Sequence, residues 1–556
     1  MTERTTIRRS SDSIPSPGAL YPFELWAVFA SCSALSFAAI AWSWQHHALL
    51  NYGDAIAHLH IARRVFDSRF PGITELGSVW LPLPHLLMLP FVQAYAWWAN
   101  GIAGTVPSAI AWIAACIGIY RLARRWMPVD AAVFTLAIFA LNPNLLYLQT
   151  TAMTEPLFVC EMIWMVVGLV EWQSAIDRED QRKVRWTQSW VAIVLLAEIY
   201  TRYDGWIMAL LAWGAMGIVL LRRGRLKSRS FWICSAILIA APIAWFTYNS
   251  IAFGDWLEFA RGPYSARAIE IRTTHGSGPP HPGWHNPWVG LLFYLKVAEM
   301  DAFAVCRNAS LILSVVGTLG AWLASRRRGF TWALLLWLPV PFYAYSVAYS
   351  SVPIFIPVWW PHSWYNTRYG VELLPALALG LGFVAQFALA AVRDFKPSAR
   401  RNAAAILFIV VALNAWGVVR KRPLVYVEGT LNLRARRAFD ENIPPAMRAQ
   451  LTHCPGGAVL MDTSVHPELV ALTGIPLHQT INESDRSLFR EALAAPADHA
   501  ALVLAFAGDA IDEAVKAHPS GLRAVAHFEA SRQPSATLYL STLCGQTAPP
   551  AASPPR

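Results

Sequence analysis

The sequence predicts an α-helical polytopic membrane protein, with about eleven transmembrane helices, outer-face surface helices and a C-terminal soluble α/β domain. Three observations predict it. Mean hydropathy is +0.37 with only 14% charged residues, a balance that soluble globular chains do not have. Apolar runs long enough to cross a bilayer recur through the first 420 residues. After Val419 the composition turns water-soluble and stays so. The net charge of +10 would point to nucleic acid in a soluble chain. Here the Lys and Arg fall in short clusters between apolar runs, which is a topology signal, so a nucleic-acid partner is excluded.

Residues 1–23 read as a basic, disordered cytoplasmic N-terminus, because Arg4, Arg8 and Arg9 hold it inside. The run Leu25 to Trp44 is too long for a signal-peptide core and lacks a small-residue cleavage site, so it reads as an uncleaved first span. Further apolar runs lie near 79–99, 105–122, 130–150, 154–172, 187–200, 206–221, 231–251, 306–325, 330–350, 371–392 and 403–419. If 79–99 crossed, the cluster RLARRW (Arg121, Arg124, Arg125) would lie outside and each later basic loop would be inverted. That run opens WLPLPHLLMLP, whose prolines suit an interfacial or re-entrant piece. With it on the outer surface, RLARRW, DREDQRKVR, RRGRLKSR, SRRRG and VRDFKPSARR all fall inside. The transmembrane domain is then 24–420, in a cytoplasmic (inner) membrane, with long outward regions at 45–104, 252–305 and 351–370.

Segments such as AVLMD, ALVLAF and ATLYLST read as strands, with ESDRSLFREALAA as a helix between them. This predicts an outer-face α/β domain over 421–546, followed by a disordered tail over 547–556. Cys454 and Cys544 bracket the domain. Antiparallel first and last strands would bring them together in an oxidising compartment; two free thiols are the alternative.

Polar groups gather on the predicted outer side in four places. In NYGDAIAHLHIARRVFDS, Asp54 precedes a helical pattern and reads either as an N-cap or as a carboxylate at the mouth of the bundle. His58 shares its helical face and could support substrate or a metal, though two ligands are too few for a metal site. Arg63 and Arg64 read as lipid or loop partners. In AMTEPLFVCEM, Glu155 starts a span at the same depth as Asp54, either as favourable charge at a helix N-terminus or as the second member of an acid/base or metal-binding pair. Glu161 lies deeper in that helix, where a charge needs a partner or a cavity. In AEIYTRYDGW, Glu198 and Arg202 are spaced for an ion pair, and Tyr203 and Asp204 form an outer turn. In PVWWPHSWYNTRYGVELLPALAL, an aromatic belt explains the Trp residues but not Arg368, which sits beside Tyr369 and suits phosphate recognition. The loop RTTHGSGPPHPGWHNPW (272–288) has three His without ligand spacing and reads as a gating or disordered loop.

In their order and sidedness these motifs resemble the C-type glycosyltransferase superfamily (GT-C), polytopic enzymes that use polyprenyl-phosphate sugars and include the bacterial lipid A aminoarabinose transferase and protein O-mannosyltransferases. The resemblance covers roughly 25–420 and rests on GDA, WLPLPHLL, RLARRW, MTEP, TRYDGW and NTRYGVELLPAL. It implies an inverting transfer of a hexosyl or pentosyl group from a polyprenyl-phosphate-linked donor to a membrane lipid, glycan or protein acceptor. Asp54 would act as general base or orient the acceptor hydroxyl. Glu155 would support it, through a divalent metal or by binding the acceptor, and Arg202 or Arg368 would bind the donor phosphate. Members differ in metal use, so the metal stays open. GDA lacks the paired acidic motif of many relatives, and WWPHS only echoes the WWDYG of oligosaccharyltransferases, which argues against N-glycan transfer. A transporter or flippase for a lipid-linked sugar is the rival reading. It expects two-fold internal repeats, and no matching halves are visible. A sensor or assembly factor would leave Asp54 and Glu155 unexplained as a pair.

Overall fold

A computed structural model of the chain describes residues 20–274, 280–325, 329–392, 397–531 and 533–545. Most of the expected N-terminal segment, the whole tail 547–556 and the centre of the 272–288 loop lie outside the described residues.

Each of the apolar runs falls on helix, and among the described residues eight helices are long and apolar enough to cross a membrane. There are nine if the pair Pro287–Ala302 and Arg307–Ala324, bent by 101°, is one broken span. This is fewer than the eleven expected, for local reasons. The run 130–150 divides at Asn142-Pro143, where the Asn142 side chain caps the short helix Pro143–Leu148 and leaves Val129–Ala140 only 12 residues long. The run 187–200 lies in Gln181–Thr201, whose first turns carry the charged QRKVR. As the prolines predicted, 79–99 forms two short helices, Leu83–Val92 and Tyr95–Asn100. The longer has 10 residues, about 15 Å of helix against a hydrocarbon core of about 30 Å.

Buried polar pairs and close backbone contacts set how these helices pack. Glu24, at the start of the first helix, accepts from Arg124 Nε at 2.9 Å and from the Tyr120 hydroxyl at 2.7 Å. The first helix therefore begins on the same side as RLARRW, as the charge pattern required. Helices Arg307–Ser325 and Leu374–Ala391 touch through Gly317 and Gly380: a Cβ on Gly317 would stand 2.0 Å from the Gly380 carbonyl oxygen.

Helix Leu424–Leu451 leads out of the membrane part into a five-stranded sheet. Its strands are β1 (Val459–Leu460), β2 (Thr480–Ile481), β3 (Leu502–Phe506), β4 (Leu522–Phe528) and β5 (Ala536–Ser541), in the order β2-β1-β3-β5-β4. β2, β1 and β3 run parallel, and β5 runs antiparallel to both its neighbours. Cys454 and Cys544 are joined by a disulfide, with Cα atoms 5.1 Å apart. The first and last strands do run in opposite directions, with β3 between them, so the start of β1 and the end of β5 reach the same end of the sheet. The domain is fastened onto the 45–104 region: Arg436 Nη2 donates to the Leu50 carbonyl at 2.6 Å and Arg69 Nε to the Thr480 carbonyl at 2.8 Å.

Candidate active site

Helix Gly53–Arg64 begins after Tyr52, which is extended, and Asp54 lies in its first turn. The Asp54 carboxylate does not cap the helix. Its Oδ2 accepts from Arg368 Nη2 at 2.6 Å, and the side chain is 41% exposed. Arg368 lies on the 3-10 turn Thr367–Leu373, just before a long apolar helix. Its Nε donates to Glu155 Oε1 at 3.0 Å and its Nη1 to Glu428 Oε1 at 3.3 Å. Glu428 also accepts from the Asn366 and Thr367 amides and the Thr367 hydroxyl at 2.6–2.9 Å. One guanidinium thus gathers carboxylates from helix Gly53–Arg64, a membrane helix and the helix leading to the soluble domain.

Arg202 forms a second such centre. It follows the last residue of helix Gln181–Thr201 with extended backbone (φ −149°, ψ 154°), which turns its side chain away from the helix. The expected pairing with Glu198 therefore does not form; both Glu198 carboxyl oxygens are buried without a hydrogen-bond partner. Arg202 instead reaches Asp204 at 3.2 Å, Glu372 at 3.1 Å, the Tyr343 hydroxyl at 2.7 Å and Glu155 Oε1 at 3.6 Å. Glu155 Oε1 bridges the two arginines, and the Tyr369 ring lies 5.1 Å from each guanidinium carbon. The Tyr203 hydroxyl donates to the Val79 carbonyl, and its ring stacks on Phe259. Glu161 is buried and accepts from the Thr201 hydroxyl. Arg63 and Arg64 pair within the loop, with Asp67 and Glu75.

Asp54, His58, Glu155, Arg202, Tyr203, Asp204, Arg368 and Tyr369 all line one cavity of about 640 Å³. Glu198 is buried and is not among the lining residues. Sequence reasoning missed Glu372, Glu428, Tyr343 and Arg267. Glu372 had a usable signal, a carboxylate entering an apolar span. Glu428 had none, because helix Leu424–Leu451 is charged throughout.

The charge balance changes what this site can do. Two guanidiniums face five carboxylates: Asp54, Glu155, Asp204, Glu372 and Glu428. Arg202 and Arg368, expected to receive phosphate, spend their donors on these groups. Arg267, on helix Ala266–Thr274, lines the same cavity, is exposed and has no ion-pair or hydrogen-bond partner among the described residues. Among the described residues that line the cavity, it is the cation left for an anion. A divalent metal between Asp54 and Glu155 does not fit, because the Arg368 guanidinium occupies the position between them. Among the described residues no group of three or more His, Cys, Asp or Glu converges as a metal site, and no step below runs through one.

No family model matches the chain. No curated protein matches it either. Among solved structures it is similar to ArnT from Cupriavidus metallidurans bound to undecaprenyl phosphate, with a TM-score of 0.51 and 14% identity, over 96% of this chain and 100% of that one. The apo structure of the same protein gives a TM-score of 0.50 at 14% identity, over 89% and 94%. The chain therefore shares its fold with this solved membrane protein. With ArnT matched over its whole length, the likeness takes in the C-terminal domain. At this identity the likeness is one of fold, and the chemistry rests on the side chains of this chain.

Proposed function

We propose that the protein is a membrane glycosyltransferase that moves a sugar from a polyprenyl-phosphate donor to an acceptor hydroxyl by inverting attack. One observation carries this reading: the carboxylate of Asp54 opens into a cavity that also holds Arg267, an arginine with no partner among the described residues. Arg368 holds Asp54 Oδ2, which leaves Oδ1 for the acceptor hydroxyl. As that hydroxyl oxygen bonds to the anomeric carbon, the carbon–oxygen bond to the phosphate breaks and the hydroxyl proton passes to Asp54. The departing polyprenyl phosphate carries the bonding pair away, and Arg267 meets its charge, with Arg202 at the cavity wall. Glu155 and Glu428 act on Arg368 and so position Asp54.

The likeness to ArnT solved with undecaprenyl phosphate supports a polyprenyl-phosphate-linked donor. The topology argued from the basic loops puts the reaction on the outer face of the cytoplasmic membrane, with the N-terminus inside and the C-terminal domain outside. The acceptor is a hydroxyl on a membrane lipid, glycan or protein. The test is sugar transfer in membranes supplied with a polyprenyl-phosphate sugar. Transfer that depends on Asp54 supports the reading; movement of the lipid-linked sugar across the membrane without transfer would make the protein a flippase.

A further inference from the structure

His58 lies one helical turn after Asp54 and lines the same cavity. Its ring is otherwise enclosed. Nδ1 lies 2.8 Å from Nε2 of His85, on the short helix Leu83–Val92, and the ring packs 4.4 Å from that of Trp80, which also lines the cavity. One proton must lie between the two imidazoles, and the surroundings of His85 decide which ring owns it. His85 Nδ1 is buried with no hydrogen-bond partner among the described residues. An orphaned buried N–H costs more than an orphaned lone pair, so the His85 proton belongs on Nε2 and is donated to His58 Nδ1. His58 then carries its own proton on Nε2. That atom has no hydrogen-bond partner among the described residues and is not sealed from the cavity. Burial keeps both rings neutral: His58 is pushed down to about 4, and His85 well below its ordinary value.

A neutral N–H donor beside an aromatic ring, in a cavity that Tyr203, Trp206 and Phe259 also line, has the chemistry to hold an uncharged oxygen on a ring-shaped substrate. It contributes nothing to the net positive charge that a phosphate needs. We infer that His58 Nε2–H and Trp80 form a sugar-binding subsite beside Asp54, and that His85 is the positioning residue that fixes the His58 tautomer. The inference rests on the glycosyltransferase reading and names the part of the donor that His58 touches.

The test uses the full-length protein in lipid nanodiscs, a polyprenyl-phosphate sugar as donor, and the sugar-free polyprenyl phosphate as competitive inhibitor. His58→Leu, which fills the space without an N–H, raises KM for the donor about tenfold and leaves kcat within about threefold, the loss of one hydrogen bond made equally in ground and transition states. His58→Gln, whose amide restores a donor, recovers most of the loss. His85→Gln, which still donates to His58 Nδ1, stays near wild type, whereas His85→Leu raises KM in the same sense as His58→Leu. The inhibition constant of polyprenyl phosphate does not change in any of them. An unchanged donor KM in His58→Leu overturns the inference, and so does an inhibition constant that rises in step with KM, because the contact would then be to phosphate. A thermal midpoint for each variant identifies one that is misfolded, and the Leu and Gln pair at His58 then decides on the folded member. A wild type that transfers no sugar overturns the glycosyltransferase reading itself, which is a separate outcome.

Discussion

Glu428 Oε1 lies 3.3 Å from Nη1 of Arg368, although 60 residues separate them. The contact ties the helix that leads to the soluble domain to Arg368, which lines the cavity. Glu428→Ala strips the acceptor from two backbone amides, a hydroxyl and a buried guanidinium. Breaking a buried pair from one side costs about 3–5 kcal/mol, so this variant should unfold at a clearly lower temperature. Glu428→Gln keeps one acceptor and should fold, with transfer reduced about tenfold or more through a looser Arg368. Thermal unfolding together with a transfer assay separates the two effects.

Arg267 and Arg368 should respond in opposite ways. Arg267 is exposed and has no partner among the described residues, so Arg267→Ala should leave the thermal midpoint within about 1 °C while weakening polyprenyl-phosphate binding about tenfold or more. Arg368→Ala leaves Glu155 and Glu428 buried without their cation and should mainly destabilise. Equal binding of polyprenyl phosphate by Arg267→Ala and wild type would return the phosphate to Arg202 and Arg368.

Acid should loosen the outer loop through its buried histidines. Burial pushes His60 down to about 3 and His58 down to about 4. A depressed imidazole contributes stability that is present above its unfolded value near 6.5 and is lost as pH falls through its folded value. The thermal midpoint should therefore drop between about pH 6.5 and pH 4. His60 Nε2 is buried without a hydrogen-bond partner and the ring packs on Trp98, so His60→Phe keeps the packing and should shrink that drop. A midpoint flat across this range would contradict the burial of both rings.

The Cys454–Cys544 disulfide closes a loop across 90 residues of sequence. On the chain-entropy account such a loop contributes about 4–5 kcal/mol at most, so reduction should unfold the C-terminal domain at a lower temperature. Loss of Glu428 positioning should then lower transfer as well. Unfolding and activity followed over the same dithiothreitol titration check both.

Much of this was legible in the sequence because charge is costly in an apolar chain. Asp54, Glu155, Arg202 and Arg368 stood out against their surroundings, and the structure brings all four to one cavity. The prolines of WLPLPHLLMLP identified a helix too short to cross. What failed was local geometry read as if each helix continued. The i,i+4 spacing of Glu198 and Arg202 suggested an ion pair, but the helix ends at Thr201 and Arg202 turns to Asp204 and Glu372. Asp54 had the sequence of an N-cap, yet its carboxylate goes to an arginine 314 residues away. Glu428 was invisible for the same reason: a long-range ion pair leaves no periodicity. For Cys454 and Cys544 the sequence left a disulfide and two free thiols open; the opposed directions of β1 and β5 bring the pair together, with β3 between them.

The most direct measurement is sugar transfer from a polyprenyl-phosphate donor in membranes carrying wild type or Asp54→Asn. Asn keeps the size of the side chain and an oxygen for Arg368, but cannot accept the proton of the acceptor hydroxyl. Transfer should fall by about 10²-fold or more, the range of a lost general base, with polyprenyl-phosphate binding unchanged. Equal transfer by both would contradict Asp54 as the reacting carboxylate.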